Sequence, residues 1–160
     1  MRAKCVHLDE AAARAAAVRQ AGGRVVVTNG CFDLLHVGHV RYLQAARALG
    51  DLLIVGVNSD ASVRALKGPT RPLVPAAERA EIVAALAAVD LVVVFDTLTA
   101  EPLVVRLQPA VYVKGDDYSE TMLPEARLVR AAGGEVVLLP TQPGHSTSAL
   151  VARVLALHAR

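Results

Sequence analysis

The sequence predicts an α/β fold of the doubly wound, Rossmann-like type, with a five-stranded parallel sheet and helices on both faces. From residue 24 onward, short Val- and Leu-rich runs alternate with longer helical patterns. The runs are almost continuously apolar, which is typical of strands covered on both faces in a parallel sheet. The repeated β-α-β order, with right-handed crossovers, then places helices on both sides of the sheet.

The expected strands are five to seven residues long and are bounded by Gly, Asp, Asn or Pro. They cover residues 25–29, 52–58, 91–95, 110–114 and 135–139. Helical patterns cover residues 38–49, 61–66, 76–87, 100–107 and 123–132, and a last helix covers 146–157. Ligands of such sheets bind beyond the carboxyl ends of the strands, where the strand order reverses.

One further helix, residues 9–20, precedes the first strand, with Asp9 as its expected N-cap and Gly22-Gly23 at its end. We interpret residues 1–160 as a single domain, because this length suits one domain and no internal repeat or linker is visible. Within it, residues 1–23 form an N-terminal helical extension and residues 24–160 form the core.

Composition excludes several classes of function. The net charge of +2 is small and evenly spread, and aromatic residues make up only 3%, which disfavours a nucleic-acid partner. The longest apolar stretch, residues 82–95, is interrupted by Asp90 and is too short to span a membrane. Cys5 and Cys31 lack the spacing of a zinc site or disulfide framework, and no signal-peptide pattern is visible. We therefore expect a cytoplasmic protein with reduced thiols.

The most informative segment is Thr28-Asn29-Gly30-Cys31-Phe32-Asp33-Leu34-Leu35-His36-Val37-Gly38-His39, here called the signature segment. It follows the first expected strand and leads into a helix, so it lies at the carboxyl edge of the sheet. The N–H groups and dipole of a helix N-terminus favour an anion. Gly38 allows a phosphate close to the backbone, and donor nitrogens of His36 and His39 can contact its oxygens.

Two other interpretations of the histidine pair are structural histidines and half of a zinc site. Zinc would need further Cys, His or carboxylate ligands, and His7, His145 and His158 show no such pattern. The strand–signature–helix context therefore favours phosphate binding.

The signature segment resembles that of the nucleotidyltransferase superfamily with the HxGH motif, which includes cytidylyltransferases and pantetheine-phosphate adenylyltransferases. The resemblance extends over essentially the whole chain after residue 24. Its further motifs, in order, are Val57-Asn58-Ser59-Asp60, Leu66-Lys67-Gly68, Arg71-Pro72, Val113-Lys114-Gly115-Asp116-Asp117-Tyr118 and Ser146-Thr147-Ser148. Together they look most like the adenylyltransferases that make ADP-heptose, in their stand-alone form, because the length leaves no room for the sugar kinase fused to some relatives.

The resemblance implies roles for individual residues. The implied catalytic residues are His36, His39 and Lys67. The implied nucleotide-binding residues are Cys31, Phe32, Gly38, His39, Gly144, Ser146 and Thr147. The implied acceptor-binding residues are Asp33, Arg79, Lys114 and Asp116. Structural alternatives remain for several: Asp33 can cap a turn, Lys67 can be a solvated helix-end charge, and Ser146 can serve only as an N-cap.

The resemblance also implies that Mg²⁺ is the cofactor. The ion would arrive with the triphosphate, with Asp33 as the candidate protein contact and no dedicated metal site of protein side chains. The implied partners are ATP, or another nucleoside triphosphate, and a sugar 1-phosphate, with neither nucleic acid nor a membrane involved. Related enzymes are often homodimers, so a homodimer is expected from the resemblance alone.

The expected reaction is transfer of AMP from ATP to heptose 1-phosphate, giving ADP-heptose and pyrophosphate. Two alternatives stay open. The chain can be a cytidylyltransferase, or another nucleotidyltransferase acting on a different phosphorylated sugar or alcohol, or it can be a nucleotide-binding module without catalysis. Thr141-Gln142-Pro143 stands where cytidylyltransferases usually carry an arginine, which weakens a glycerol-phosphate assignment.

Overall fold

The computed structural model describes residues 4–141 and 143–159, so Gln142 lies outside the described residues. The strands are β1 (Val25–Gly30), β2 (Leu52–Asn58), β3 (Leu91–Phe95), β4 (Val111–Gly115) and β5 (Glu135–Leu139). The helices are α1 (Leu8–Gln20), α2 (Val37–Arg47), α3 (Asp60–Lys67), α4 (Ala76–Ala84), α5 (Glu101–Leu107), α6 (Pro124–Ala131) and α7 (Thr147–His158). All strand pairs are parallel, in the order β3-β2-β1-β4-β5.

The predicted five-stranded, doubly wound sheet is confirmed. β2, β3 and β5 have the predicted bounds, and β1 and β4 differ by one residue at their ends. The predicted N-cap of the first helix is wrong, because α1 begins at Leu8 after His7. Asp9 lies inside the first turn, where its carboxylate pairs with Arg106 of α5. A negative charge near a helix N-terminus is favourable there without capping the helix.

Each face of the sheet has its own apolar core. Val26 points into the core covered by α2 and α4, whereas Val25 and Val27 point into the core covered by α1, α5 and α6. Successive side chains of a strand point to opposite faces, so a strand buried on both faces must be apolar at every position. This packing explains the continuous Val runs that predicted the sheet.

The strand order reverses beside β1. The chain runs outward from β1 through β2 to β3 and then crosses back to place β4 on the other side of β1. Thr28 of β1 lies opposite Val113 of β4, so both strands end at the same edge. The loops that follow β1 and β4 therefore diverge around a crevice, which is where doubly wound sheets bind their ligands.

Helix α7 is the least packed element. None of its residues is buried against the rest of the described chain. Val154 and Leu157 are 56% and 66% exposed. Although α7 is apolar, neither it nor any other helix among the described residues is long and apolar enough to cross a bilayer.

Candidate active site

A cavity of about 460 Å³ opens at the carboxyl ends of β1 and β4. Five segments line it: the signature segment with the start of α2, the end of α3, the end of β4 with the loop after it, the loop after β5, and the start of α7. Its volume is within the range of small-molecule sites, roughly 300–1,000 Å³. The cavity thus brings together motifs from positions 29 to 148 of the sequence.

Two helix N-termini meet at this cavity, those of α2 and α7. The first N–H groups of a helix have no acceptor within the helix, so each N-terminus favours an anion. Ser146 caps α7, because its hydroxyl oxygen accepts a hydrogen bond from the Ala149 N–H at 3.1 Å. The Thr147 hydroxyl donates to the Leu34 carbonyl at 3.2 Å. This second bond ties the start of α7 to the signature segment.

The histidine pair is preorganised as a hydrogen-bond donor. The rings of His36 and His39 stack with centroids 3.8 Å apart. The backbone N–H of His36 donates a long hydrogen bond, 3.4 Å, to Nδ1 of His39. A neutral imidazole carries one proton, so an accepting Nδ1 leaves that proton on Nε2. Burial first, and then the nearby charges of His36 and Lys67, lowers the pKa of His39 to about 4, so the ring is neutral at pH 7.

Gly38 is required by the close approach of the His36 ring. A Cβ at this position would lie 2.9 Å from Nδ1 of His36 and 3.2 Å from Cβ of His145. Real Cβ atoms essentially never come within 3.0 Å of another heavy atom, so a larger residue would displace the imidazole. Gly38 therefore positions His36 in addition to keeping the backbone open toward the cavity.

Two ammonium groups flank the histidine pair. Lys114 is only 8% exposed, and its Nζ donates to the Asn29 carbonyl at 3.2 Å. The same Nζ lies 4.6 Å from the centroid of the Tyr118 ring, an attractive cation–π contact. Burial lowers the pKa of Lys114, with the charge of Glu125 acting in the opposite direction. Lys67, the last residue of α3, is exposed and lines the cavity from the other side.

The structure does not bring Arg79 to the cavity. Its side chain is completely buried, and its guanidinium donates to the carbonyls of Val74, Cys31 and Asn58 and to the Asp60 carboxylate. This placement corrects the expected acceptor contact, because the guanidinium is already engaged with the protein. Arg79 instead holds the signature segment against the end of β2 and the loop before α4.

Asp33 is also placed away from the cavity. It is 6% exposed, and its carboxylate accepts from Arg71 Nη1 at 2.6 Å, from Leu73 N at 2.9 Å and from Val74 N at 3.0 Å. These bonds correct both expected roles, the contact with phosphate and the contact with Mg²⁺, because both oxygens are occupied. Asp33 fastens the loop between α3 and α4 to the signature segment.

Asp116 is exposed and points toward the loop after β5. Its Oδ1 accepts from the backbone N–H and the hydroxyl of Thr141, each at 2.8 Å, and these bonds hold its pKa below the usual range. The neighbouring Asp117 lines the cavity and Asp116 does not, and the expected acceptor contact of Asp116 stays a prediction.

Ten lining residues were assigned no role from the sequence. Six of them belong to the quoted motifs, which is the signal that could have found them: Asn29, Gly30, Gly115, Asp117, Tyr118 and Ser148. The other four are Tyr42, Pro140, Thr141 and His145. By contrast, Cys31, Phe32, Gly38, Gly144, Ser146 and Thr147 all line the cavity as expected.

The described residues offer no group of three or more His, Cys, Asp or Glu side chains that could hold a metal ion. Among those that line the cavity, Asp117 carries the only carboxylate. Mg²⁺ commonly binds one or two carboxylates together with substrate phosphates and water. The lining therefore fits an ion that is held mainly by a triphosphate, with Asp117 as the available protein ligand.

A parallel sheet that places two helix N-termini, a pair of imidazoles and two ammonium groups at its reversal point defines a phosphate-binding domain of the nucleotide-binding α/β class. The cytidylyltransferase-like family matches residues 27–153. The chain belongs to this family and is a nucleotidyltransferase.

Individual relatives agree with this assignment. The chain is 53% identical to the bifunctional protein HldE of Geotalea uraniireducens, over 95% of this chain and 31% of that protein. It is 55% identical to the bifunctional protein HldE of Streptomyces coelicolor, over 91% of this chain and 31% of that protein. The chain thus spans about a third of the length of these curated relatives.

A solved structure is similar as well. The lipopolysaccharide core biosynthesis protein of Thermoplasma volcanium superposes with a TM-score of 0.64 and is 26% identical. The match covers 76% of this chain and 98% of that one.

Proposed function

We propose that the chain transfers AMP from ATP to heptose 1-phosphate, forming ADP-heptose and pyrophosphate. The observation that carries the proposal is the meeting of two helix N-termini, the histidine pair and two lysines around one cavity. These groups suit a polyphosphate whose charge must be held without covalent chemistry. The resemblance to ADP-heptose-forming adenylyltransferases supports the adenine nucleotide and the heptose acceptor, and the neighbour named for lipopolysaccharide core biosynthesis agrees with it.

In this mechanism the triphosphate lies between the N-termini of α2 and α7. Nε2–H of His39 and the first N–H groups of α7 donate to non-bridging phosphate oxygens. A phosphate oxygen of the acceptor attacks the α-phosphorus in line, the bond from that phosphorus to the bridging oxygen breaks, and pyrophosphate leaves. The nucleophile is an ionised oxygen, so no protein base is needed.

The rate then depends on positioning and charge. The ammonium groups of Lys67 and Lys114 stabilise the negative charge that builds on the transferred phosphoryl group. Asp117 and the triphosphate would hold Mg²⁺, which would supply further neutralisation of that charge. The buried Lys114 is fixed by Asn29 and Tyr118, whereas the exposed Lys67 can move with its loop as substrates enter.

A pyrophosphate-release screen tests the proposal. ATP, CTP, GTP and UTP are each combined with heptose 1-phosphate, another sugar 1-phosphate and glycerol phosphate. ATP with heptose 1-phosphate is expected to react fastest. Faster reaction with CTP or with an alcohol phosphate would replace the proposal by the cytidylyltransferase alternative. Nucleotide binding without pyrophosphate release from any combination would leave a non-catalytic module.

We also propose a homodimer, which the resemblance implies. The exposed apolar side chains of α7 support it, because a helix this poorly packed needs another surface.

A further inference from the structure

A second cavity, of about 490 Å³, adjoins the first. Lys67 and Lys114 stand between them, because both line both cavities. The histidine pair and the starts of α2 and α7 line the first cavity, whereas the second is lined by the starts of α5 and α6 and by the Glu125 carboxylate, which would repel a polyphosphate. The triphosphate is therefore placed in the first cavity. A phosphate held between the two lysines can therefore extend the rest of its molecule into the second cavity.

The lining of the second cavity includes a mostly buried carboxylate. Glu125, in the first turn of α6, is 4% exposed and lines this cavity. Its Oε1 accepts from the Tyr112 hydroxyl at 2.5 Å. Among the described residues no hydrogen bond reaches its other oxygen. Among the described residues, Nδ1 of His36 is the only fully buried side-chain nitrogen or oxygen without a partner, so this Glu125 oxygen is open to the cavity and can accept a hydrogen bond from a ligand.

The single proton of the Tyr112 hydroxyl determines how the side-chain amide of Asn29 is oriented. The Tyr112 hydroxyl lies 2.5 Å from both Asn29 Oδ1 and Glu125 Oε1, but it has one proton. Burial, followed by the charge of Glu125, raises the pKa of Tyr112 far above its usual range, so the hydroxyl keeps that proton. A carboxylate is a stronger acceptor than an amide oxygen, so the hydroxyl donates its proton to Glu125.

The amide of Asn29 must then turn its NH₂ toward the Tyr112 oxygen. Amide orientation follows from such a network, and this orientation points the Asn29 carbonyl oxygen away from Tyr112. Asn29 lines both cavities. The second cavity is thus lined by two acceptors, a carboxylate oxygen of Glu125 and the amide oxygen of Asn29.

We propose that the second cavity binds the sugar of the acceptor, and that Glu125 accepts hydrogen bonds from its hydroxyl groups with Asn29 as a second acceptor. This inference rests on the proposed function. The ligand class is a polyhydroxylated sugar phosphate, because hydroxyl groups supply donors to these acceptors while a phosphate would be repelled by the carboxylate. Electrostatics also orients the acceptor, with its phosphate between the lysines and its sugar at α6.

The inference predicts that removing the Glu125 charge weakens binding of the acceptor and leaves binding of ATP almost unchanged. Glu125→Gln keeps an oxygen for Tyr112 but removes the charge. A hydrogen bond to a charged group is worth about 1.5–3 kcal/mol, so the KM for the sugar 1-phosphate is expected to rise about 10-fold or more, with the KM for ATP changed less than about twofold. Glu120→Gln is the matched control, because Glu120 pairs with Arg130 and lines neither cavity.

Deoxy analogues of the acceptor provide a second measurement. In the wild-type protein at least one deoxy analogue is expected to bind about 10-fold more weakly, and Glu125→Gln is expected to erase that difference. An unchanged acceptor KM in the variant overturns the inference. If the variant does not fold, equal binding of every deoxy analogue by the wild-type protein overturns it. Failure of the proposed function is distinct, since the wild-type protein would then react faster with another nucleotide or with an alcohol phosphate, or would release no pyrophosphate at all.

Discussion

At the scale of single residues, the proposed phosphate chemistry depends on the nitrogen of His39 that carries the proton. The backbone N–H of His36 occupies Nδ1, and burial keeps the ring neutral, so Nε2–H is a fixed donor. Gly38 contributes by leaving room for the His36 ring that stacks on His39. A donor fixed before the substrate arrives needs no reorganisation when charge develops on the phosphate.

Replacing His39 by Ala is expected to lower kcat by about 10²–10³-fold, which is typical for the loss of one preorganised donor. The thermal unfolding midpoint should change little, because His39 is only half-buried and makes a single long hydrogen bond. Pyrophosphate release and a thermal scan provide the two measurements. His158→Ala, at the exposed end of α7, is the control. Turnover close to wild type in the His39 variant would exclude its role.

At the scale of elements, the site depends on two buried charged residues that never reach the cavity. Asp33 anchors the loop between α3 and α4, and Arg79 joins that loop to the end of β2 and to the signature segment. Because Lys67 ends α3 just before this loop, the anchoring also limits where its ammonium can go. Asp33 and Arg79 are therefore positioning residues.

Asp33→Asn is expected to destabilise the fold by roughly 3 kcal/mol, since it breaks a buried ion pair and leaves an N–H₂ facing backbone donors. Hydrogen exchange of the Leu73 and Val74 amides should become faster than exchange in the sheet. Chemical denaturation and exchange mass spectrometry measure these effects. The control is Glu10→Gln, which breaks an exposed pair with Arg14 worth no more than about 1 kcal/mol. Equal losses in the two variants would contradict the anchoring role.

At the scale of the whole molecule, α7 links the site to the surface. Its N-terminus contributes Ser146 and Thr147 to the cavity, yet its body is unpacked. Isolated helices of about 12 residues are marginal in water. Leu150, Val154 and Leu157 form one apolar stripe at helical spacing, exposed by 37%, 56% and 66%. A second copy presents the same stripe, and a twofold axis would bring the two together.

Sedimentation of the wild-type chain is therefore expected to give the mass of a dimer. Val154→Lys combined with Leu157→Lys should give a monomer and raise the KM for ATP, because the start of α7 would lose its support. Val105→Lys is the control: Val105 is 55% exposed on α5, away from α7. A wild-type chain that sediments as a monomer at every concentration would refute the proposal that the apolar stripe of α7 forms a dimer interface.

Much of this architecture was predictable because it follows from patterns within short stretches of the sequence. Continuous apolar runs predicted the five strands, and the signature segment with Lys67, Ser146 and Thr147 predicted which loops line the cavity. These features depend on residues close together in the chain and on the general geometry of parallel sheets. The amino-acid sequence by itself thus determined the sheet, its carboxyl edge and the phosphate-binding segments.

Only the tertiary structure decided which charged side chains reach the cavity. Asp33 contacts Leu73, 40 positions away, and Arg79 contacts Cys31, 48 positions away. Tyr112 on β4 likewise joins Glu125 on α6 to Asn29 on β1. A buried charged side chain needs hydrogen-bond or ion-pair partners. Which partners lie within reach depends on how elements distant in the sequence pack together. The direction in which these side chains point therefore depends on the assembled fold, and local spacing in the sequence does not predict it.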